Sequence, residues 1–526
     1  MKAFLAILKQ TIRSSVRSKV FLVLFALILL CVVGLPLTIR GDNTAAGLIQ
    51  VSLTYSLNLV VALISASCLW LGCSLLASEI EGYQVHLTVT KPCPRWVLWT
   101  GKFVGVFLMH AIILVISMLL VYGLTFFRLD RAHKAGLFNE DDMARLNREF
   151  LVARREFRPR LPDLSQRVQV EYEKRVRQGL VDPKSTDELA VKKAIMQDLI
   201  DGVLRNTTLK PGETATWEYK GVKLPSDDAT LSVRLRAYSN DAINTNQNDL
   251  TLDVGFLYFG EAGETAGIPT VWYTEGIGAP FVAPGGVWRE LSTIAPNTPK
   301  NAEGQYVVGA DTYPTFAKDL VNKDHENSVS LTIRNLGDIG LPARESIPQD
   351  EESLKAYDRA VRSRTAVFQA ADGPTLLCPV GTFGQNYART MVMALYQLAF
   401  LAALGCTVGA LFSTPVAVFA AIAYLIIGLV VPFAMDAPVQ GPDGSYMYAN
   451  MWERAAHYMA TTVQTLVVTV DDLNTTGDLA AGRLVEAKDL GWAFLRVIVI
   501  RSGLLAGLGI YFLTRRELGL VVRRIS

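Results

Sequence analysis

Two patterns divide the chain. In six places an apolar run continues for about 20 residues, the length an α-helix needs to cross the ~30 Å hydrocarbon core of a bilayer. These runs are Val20–Ile39, Leu48–Ala77, Phe103–Phe127, Met391–Phe412, Val416–Met435 and approximately Trp492–Thr514. Only the last contains ionised side chains, Arg496 and Arg501. A buried core helix is the other reading of any one run, and length without charge weighs towards a span.

Between Phe127 and Met391 no run qualifies. Residues 128–207 read as a helical region, with Asn139–Phe157 charged and periodic. Ser185-Thr186-Asp187-Glu188 has the spacing of a capping box, opening a helix to about Leu204. From Thr208 the period changes from helical to two. Thr214–Tyr219, Thr230–Tyr238, Leu250–Phe259, Gln305–Val308 and Ser328–Arg334 alternate, with Pro, Gly and Asn clusters between them. Short strands with such punctuation predict an antiparallel β-sandwich over residues 208–390. Asp350–Arg362 reads as a helix. Thr365–Gln369 and Thr375–Val380 flank Asp372-Gly373 as a hairpin turning back towards the membrane. The fold class expected is a polytopic α-helical membrane protein with six transmembrane helices and an α+β extracytoplasmic domain.

Composition sharpens this picture. The 526 residues are 50% hydrophobic and 19% charged, with net charge +2. The charge is concentrated between the apolar blocks, which excludes both a wholly soluble enzyme and a pure membrane bundle. Near-zero net charge also argues against nucleic-acid binding. The basic residues set an orientation by the positive-inside rule. Lys2, Lys9, Arg13, Arg17 and Lys19 precede the first span, and Arg515, Arg516, Arg523 and Arg524 follow the last. Lys91, Arg95 and Lys102 lie between spans two and three, whereas residues 436–489 are mostly acidic. Both termini and the loop 78–102 are therefore expected in the cytoplasm, with residues 128–390 and 436–489 outside. A cleaved signal peptide is the alternative at the N-terminus, but the run there is longer than the 7–15 residues of such a peptide. Cys378 is the single cysteine of the six expected outside, so that domain has no internal disulfide, and no metal-ligand spacing is present.

Several residues are candidates for a role. Residues 1–19 form a basic amphipathic helix, with Phe4, Leu8, Ile12 and Val16 on one face and Lys9, Arg13 and Arg17 on another. It reads as an interfacial anchor or as a lever packed against a cytoplasmic partner. Residues 78–102 carry Glu79, Glu81, a helix-breaking Gly82, Lys91, Pro92, Pro94, Arg95-Trp96 and Gly101-Lys102. An amphipathic element fixed to the membrane at both ends can transmit force; the plain alternative is a connecting loop with interfacial anchors. Arg501 inside the last span contacts an anionic substrate or an acid of residues 436–489, or else forms a structural pair or snorkels, and His110 in span three is a packed neutral histidine or a proton relay. Trp217, Trp272 and Trp288 are core aromatics or ligand-stacking residues. The histidines are scattered and no catalytic constellation is visible. No G-x-x-x-x-G-K-[ST] phosphate loop occurs.

The loop 78–102 resembles that of the permease subunits of type-2 ABC exporters. The matching positions are Glu79, Glu81, Gly82, Lys91, Pro92, Arg95, Gly101 and Lys102. The basic N-terminal helix resembles the family's interfacial helix. Six spans with both ends inside, and Arg515-Arg516-Glu517-Leu518 after the last, fit as well. The resemblance covers residues 1–127 and 391–526. The departure is an insert of about 260 residues between spans three and four, where simple members have a short loop. The resemblance implies a homo- or heterodimer of permease subunits in the cell membrane. Each would dock on a separate cytoplasmic ATPase subunit that holds the ATP. It implies no cofactor and no catalytic residue on this chain, and leaves the substrate open. The alternatives are a mechanotransmitting ABC membrane subunit acting on extracytoplasmic partners, a membrane-tethered sensor or binding module, and a membrane-anchored enzyme.

Overall fold

The computed structural model describes all residues except 1, 40–43, 83–93, 160–164, 180, 182–187, 206, 227–228, 241–248, 258–269, 273–280, 285, 287, 294–311, 314–315, 324–325, 369–372, 436–450, 453–454, 456–458, 460–472 and 516–526. The chain forms two compact units. One comprises Met1–Ala153, Gly381–Ala437 and Asn450–Ser526; the other comprises Arg154–Val380 with Pro438–Ala449.

The first unit is helical. It opens with α1 (Lys2–Val16), α2 (Lys19–Thr38), α3 (Ala45–Glu81) and α4 (Arg95–Lys134). In the second unit lie α5 (Ser165–Arg177), α6 (Glu188–Arg205) and α7 (Glu351–Arg364). The chain returns to the helical unit with α8 (Phe383–Leu411), α9 (Thr414–Met435) and α10 (Ala487–Arg515). Among the described residues, α2, α3, α4, α8 and α10 are long and apolar enough to cross a membrane, as in a multi-pass membrane protein. The fifth apolar run of the sequence falls on α9, whose side chains are described as far as Ile427. With 37 and 40 residues, α3 and α4 outrun the apolar cores read from the sequence, since Glu79, Glu81, Arg95 and Lys102 all lie within helical turns. In α10 residues Phe494–Ser502 are π-helical, a form found mostly as short bulges at functional or strained positions.

Small residues set the helix crossings. A Cβ at Gly72 of α3 would lie 3.1 Å from Gly405 Cα of α8, and one at Gly409 would lie 2.6 Å from the Cys73 carbonyl oxygen. With little hydrophobic driving force between helices in lipid, such close backbone approach is the main source of packing energy.

The second unit holds the strands. One sheet has the order Val152–Phe157, Thr375–Thr382, Ser232–Arg236, Trp288–Thr293, Thr312–Tyr313. A second has the order Thr214–Tyr219, Val329–Asn335, Asp249–Leu257, Thr270–Trp272, with Phe281–Pro284 also paired to Asp249–Leu257. The third joins Thr207–Leu209, Ala366–Phe368 and Tyr238–Ser239. The described pairings are antiparallel, apart from the parallel pair Thr312–Tyr313 with Trp288–Thr293. One apolar cluster draws Val233, Leu235, Leu252, Val254, Leu331, Ile333 and Leu376 from the first two sheets.

Two expectations for this unit change. Residues 152–157 were expected within a helical region, and they form a strand instead. Ala153 and Arg154 are buried there, and Arg154 pairs with the buried Glu290 of a strand in the same sheet, so tertiary burial overrides helical periodicity. The hairpin about Asp372-Gly373 does not form, because Ala366–Phe368 and Thr375–Thr382 belong to different sheets. The strands at Thr214–Tyr219 and Val329–Asn335 and the helix Glu351–Arg364 fall where the sequence puts them. Ser185–Asp187 of the capping box and the strand at Gln305–Val308 lie outside the described residues.

Candidate functional site

Three polar contacts gather where α3 ends and α4 begins. Glu79, in the last turn of α3, forms an ion pair with Lys102 of α4; the two side chains are 12% and 1% exposed. Lys102 Nζ donates to Glu79 Oε1. Glu81, the last residue of α3, accepts from the Thr414 backbone N–H at 2.9 Å and from its hydroxyl at 3.4 Å, so a carboxylate sits on the first turn of α9. Arg95, the first residue of α4, donates through Nη1 to the carbonyl oxygens of Leu513 and Thr514 at 3.0 and 2.6 Å, in the last described turn of α10. Acid at a helix N-terminus and base at a C-terminus both complement the helix dipole. Gly82 closes α3 by donating to the Ser78 carbonyl at 2.8 Å, with φ −81, so it does not use glycine's left-handed freedom. Lys91 and Pro92 lie outside the described residues.

One face of α1 packs against α4. Ile7, Thr11 and Ser15 are buried, while Phe4, Leu8 and Ile12 are half-buried and Val16 is exposed. The cause lies in α4. A Cβ at Gly101 would lie 2.8 Å from Ile7 Cγ2, and one at Gly105 would lie 2.6 Å from Thr11 Cγ2. Glycines one turn apart open a groove that accepts the β-branched side chains. The hydroxyls are satisfied within α1 itself, Thr11 donating to the Ile7 carbonyl at 2.9 Å and Ser15 to the Thr11 carbonyl at 2.7 Å. Phe4, Leu8 and Ile12 flank this packed face, whereas Val16 and the basic Lys9, Arg13 and Arg17 are exposed.

His110 is buried, with Nδ1 2.9 Å from the Val106 carbonyl and Nε2 3.1 Å from Ser67 Oγ. A carbonyl requires a donor, so Nδ1 carries the proton and Nε2 accepts from Ser67: one neutral tautomer satisfies both contacts. Arg501 is 4% exposed and sits in the π-helical part of α10, whereas Arg496 is exposed. Trp217 packs edge-on against Phe368 at 5.5 Å as part of the second unit's core. The side chains of Trp272 and Trp288 lie outside the described residues.

Sequence reasoning missed a cavity of about 590 Å³ between α3, α8 and α9. Its polar lining is Asn58, Ser65, Gln397 and Asn474. The available signal was the heptad spacing of Asn58 and Ser65 within an otherwise apolar run, which puts two polar groups on one face of a span. Among the described residues no group of three or more His, Cys, Asp or Glu side chains is arranged to hold a metal ion. No protein-family model matches the chain, and neither a curated protein nor a solved structure matches it.

Proposed function

We propose that this chain is the membrane permease subunit of an ABC exporter, driven by a separate cytoplasmic ATPase. In this reading α2, α3, α4, α8, α9 and α10 are six spans with both termini in the cytoplasm. The insert between α4 and α8 is an extracytoplasmic domain built on a β-sandwich. The apolar cluster shared by its two larger sheets supports the sandwich, and the basic flanks of the spans support the orientation.

The observation that carries the reading is the set of contacts around residues 83–93. A push on that segment acts first on the ends of α3 and α4, which the Glu79–Lys102 pair holds together. Glu81 hands the displacement to the start of α9, and Arg95 hands it to the end of α10. A loop that merely connected two spans has no need to grip two further helices. Binding and hydrolysis of ATP then belong to the partner, because the chain has no phosphate loop. A second permease subunit, identical or different, completes the transporter.

The test is purification of the tagged full-length chain from its native membrane under mild detergent. A nucleotide-binding subunit with a phosphate-loop motif is expected to copurify, and ATP hydrolysis is expected from the complex but not from the isolated chain. A complex that contains no such subunit sinks the proposal.

A further inference from the structure

The cavity between α3, α8 and α9 has a lining that selects its ligand. Asn58, Ala62, Ser65, Leu69 and Cys73 follow one another at spacings of three and four, so they share a face of α3. At 1.5 Å per residue that face is about 22 Å long. Its polarity is graded. Asn58 and Asn474 lie at one end, Ser65 and Gln397 lie about 10 Å further along, and from Leu69 to Cys73 the walls are apolar, closed by Leu401, Val418 and Ile422. Gln397 and Ser65 are buried, and their mutual contact is long, Gln397 Nε2 to Ser65 Oγ at 3.5 Å. A hydrogen bond of that length is weak, so both groups favour a better partner. Among the described residues no Asp, Glu, Lys, Arg or His lines the cavity. Against this described lining a charged head would lose its hydration without gaining a counter-ion, whereas a hydroxyl or amide would be paired. The volume lies within the roughly 300–1,000 Å³ of small-molecule sites.

We propose that this cavity binds an uncharged amphiphile, with its alkyl chain along Leu69–Cys73 and a hydroxyl- or amide-bearing head on Gln397, Ser65 and Asn58. The proposal rests on the permease reading, in which the cavity is a cargo site, and adds the chemical class of that cargo.

The experiment uses the full chain in phosphatidylcholine nanodiscs with 1-monopalmitoylglycerol bearing a diazirine in its acyl chain. Photolabelling is expected on peptides covering 58–73 and 414–427. Excess unlabelled monopalmitoylglycerol is expected to reduce it about tenfold, a difference readily resolved as occupancy. Palmitate and palmitoylcholine, the anionic and cationic analogues, are expected to compete poorly. Ala62→Trp fills the groove and is expected to abolish labelling. Gln397→Leu, closer in size, is expected to weaken it with an unchanged elution profile. Gln397→Glu is expected to make palmitoylcholine an effective competitor. Equal competition by palmitate overturns the uncharged class. Uniform labelling that no competitor reduces means bulk lipid only and overturns the site. Efficient Ala62→Cys cross-linking between two copies, without labelling, means that a second copy covers the groove and overturns it too. ATPase copurification is read separately. Lost labelling with the ATPase present removes the ligand and keeps the permease, and labelling with no ATPase does the reverse.

Discussion

The Glu79–Lys102 pair shows what a single contact does at the base of the helical unit. Both charges are largely withdrawn from water, so each depends on the other. Removing one partner of such a pair typically costs about 3–5 kcal/mol, whereas replacing both by apolar groups is often neutral. Lys102→Met is therefore expected to lower thermal stability strongly, and Glu79→Leu in the same chain to restore much of it. Thermal denaturation in a double-mutant cycle measures the difference; additive losses would mean the two residues are not coupled. In the second unit, Asp350 accepts from the Ser353 backbone N–H at 2.9 Å at the start of α7. Its carboxyl is held below its ordinary 3.8, chiefly by that backbone hydrogen bond. A folded-state value below the unfolded one means the contribution is full above about 3.8 and is lost as pH falls through the lowered value. Asp350→Asn keeps a good N-cap and removes this titration. The variant is expected to lose less stability than the parent between pH 4 and pH 2, roughly the range over which such a carboxylate titrates; identical acid profiles would rule the cap out as a contributor. Burial pushes the Cys378 thiol up to about 11, which leaves it protonated and unreactive at neutral pH.

Elements show where the sequence was readable. Long apolar runs gave every described apolar helix its position, because insertion in a bilayer is written in composition. Two-residue alternation placed Thr214–Tyr219 and Val329–Asn335, whose burial alternates from residue to residue. It failed for Val152–Phe157, a strand rich in arginine whose burial depends on Glu290, 136 residues away. The packed face of α1 was not legible for a related reason. A hydrophobic stripe says which side avoids water, and lipid satisfies that as well as protein does. What decides the packed side is the glycine groove on α4, which is legible only as Gly101-x-x-x-Gly105 once the two helices are known to meet. Gly105→Val puts methyl groups where Thr11 lies and is expected to release α1, at a cost of about 1–3 kcal/mol typical of overpacking. Thr11→Ala in the same chain, by removing the Cγ2 that clashes, is expected to recover part of it. Protease accessibility of residues 1–19 reads the release; equal accessibility in parent and variant would place α1 elsewhere.

At the scale of the molecule, Glu79, Glu81, Arg95 and Lys102 join α3, α4, α9 and α10 through one ion pair and two helix-end contacts. The Arg95 contact is the most direct test of whether that junction transmits force. Its guanidinium accounts for two terminal carbonyls of α10, a position where a cation is typically worth about 0.3–1 kcal/mol. That is too little to unfold a helical unit, yet α10 is joined to the junction through this end. Arg95→Glu places a carboxylate against the negative end of the same helix, so contact becomes repulsion. In complexes with the proposed ATPase subunit, the variant is expected to retain that partner and keep its thermal transition within a few degrees. Stimulation of ATP hydrolysis by ligand is expected to fall about tenfold, the size of a 1.4 kcal/mol loss of coupling. Arg95→Lys keeps a cation but not the position of Nη1, which makes both bonds, and is expected to fall between. Glu81→Gln, which keeps a carbonyl acceptor for Thr414 and loses the charge, is expected to resemble the parent more closely than Arg95→Glu does. Normal stimulation in Arg95→Glu would show that α10 moves independently of the junction. A loss of stimulation matched by loss of the partner would reassign Arg95 to assembly, because a residue that only holds subunits together cannot uncouple a complex that remains intact.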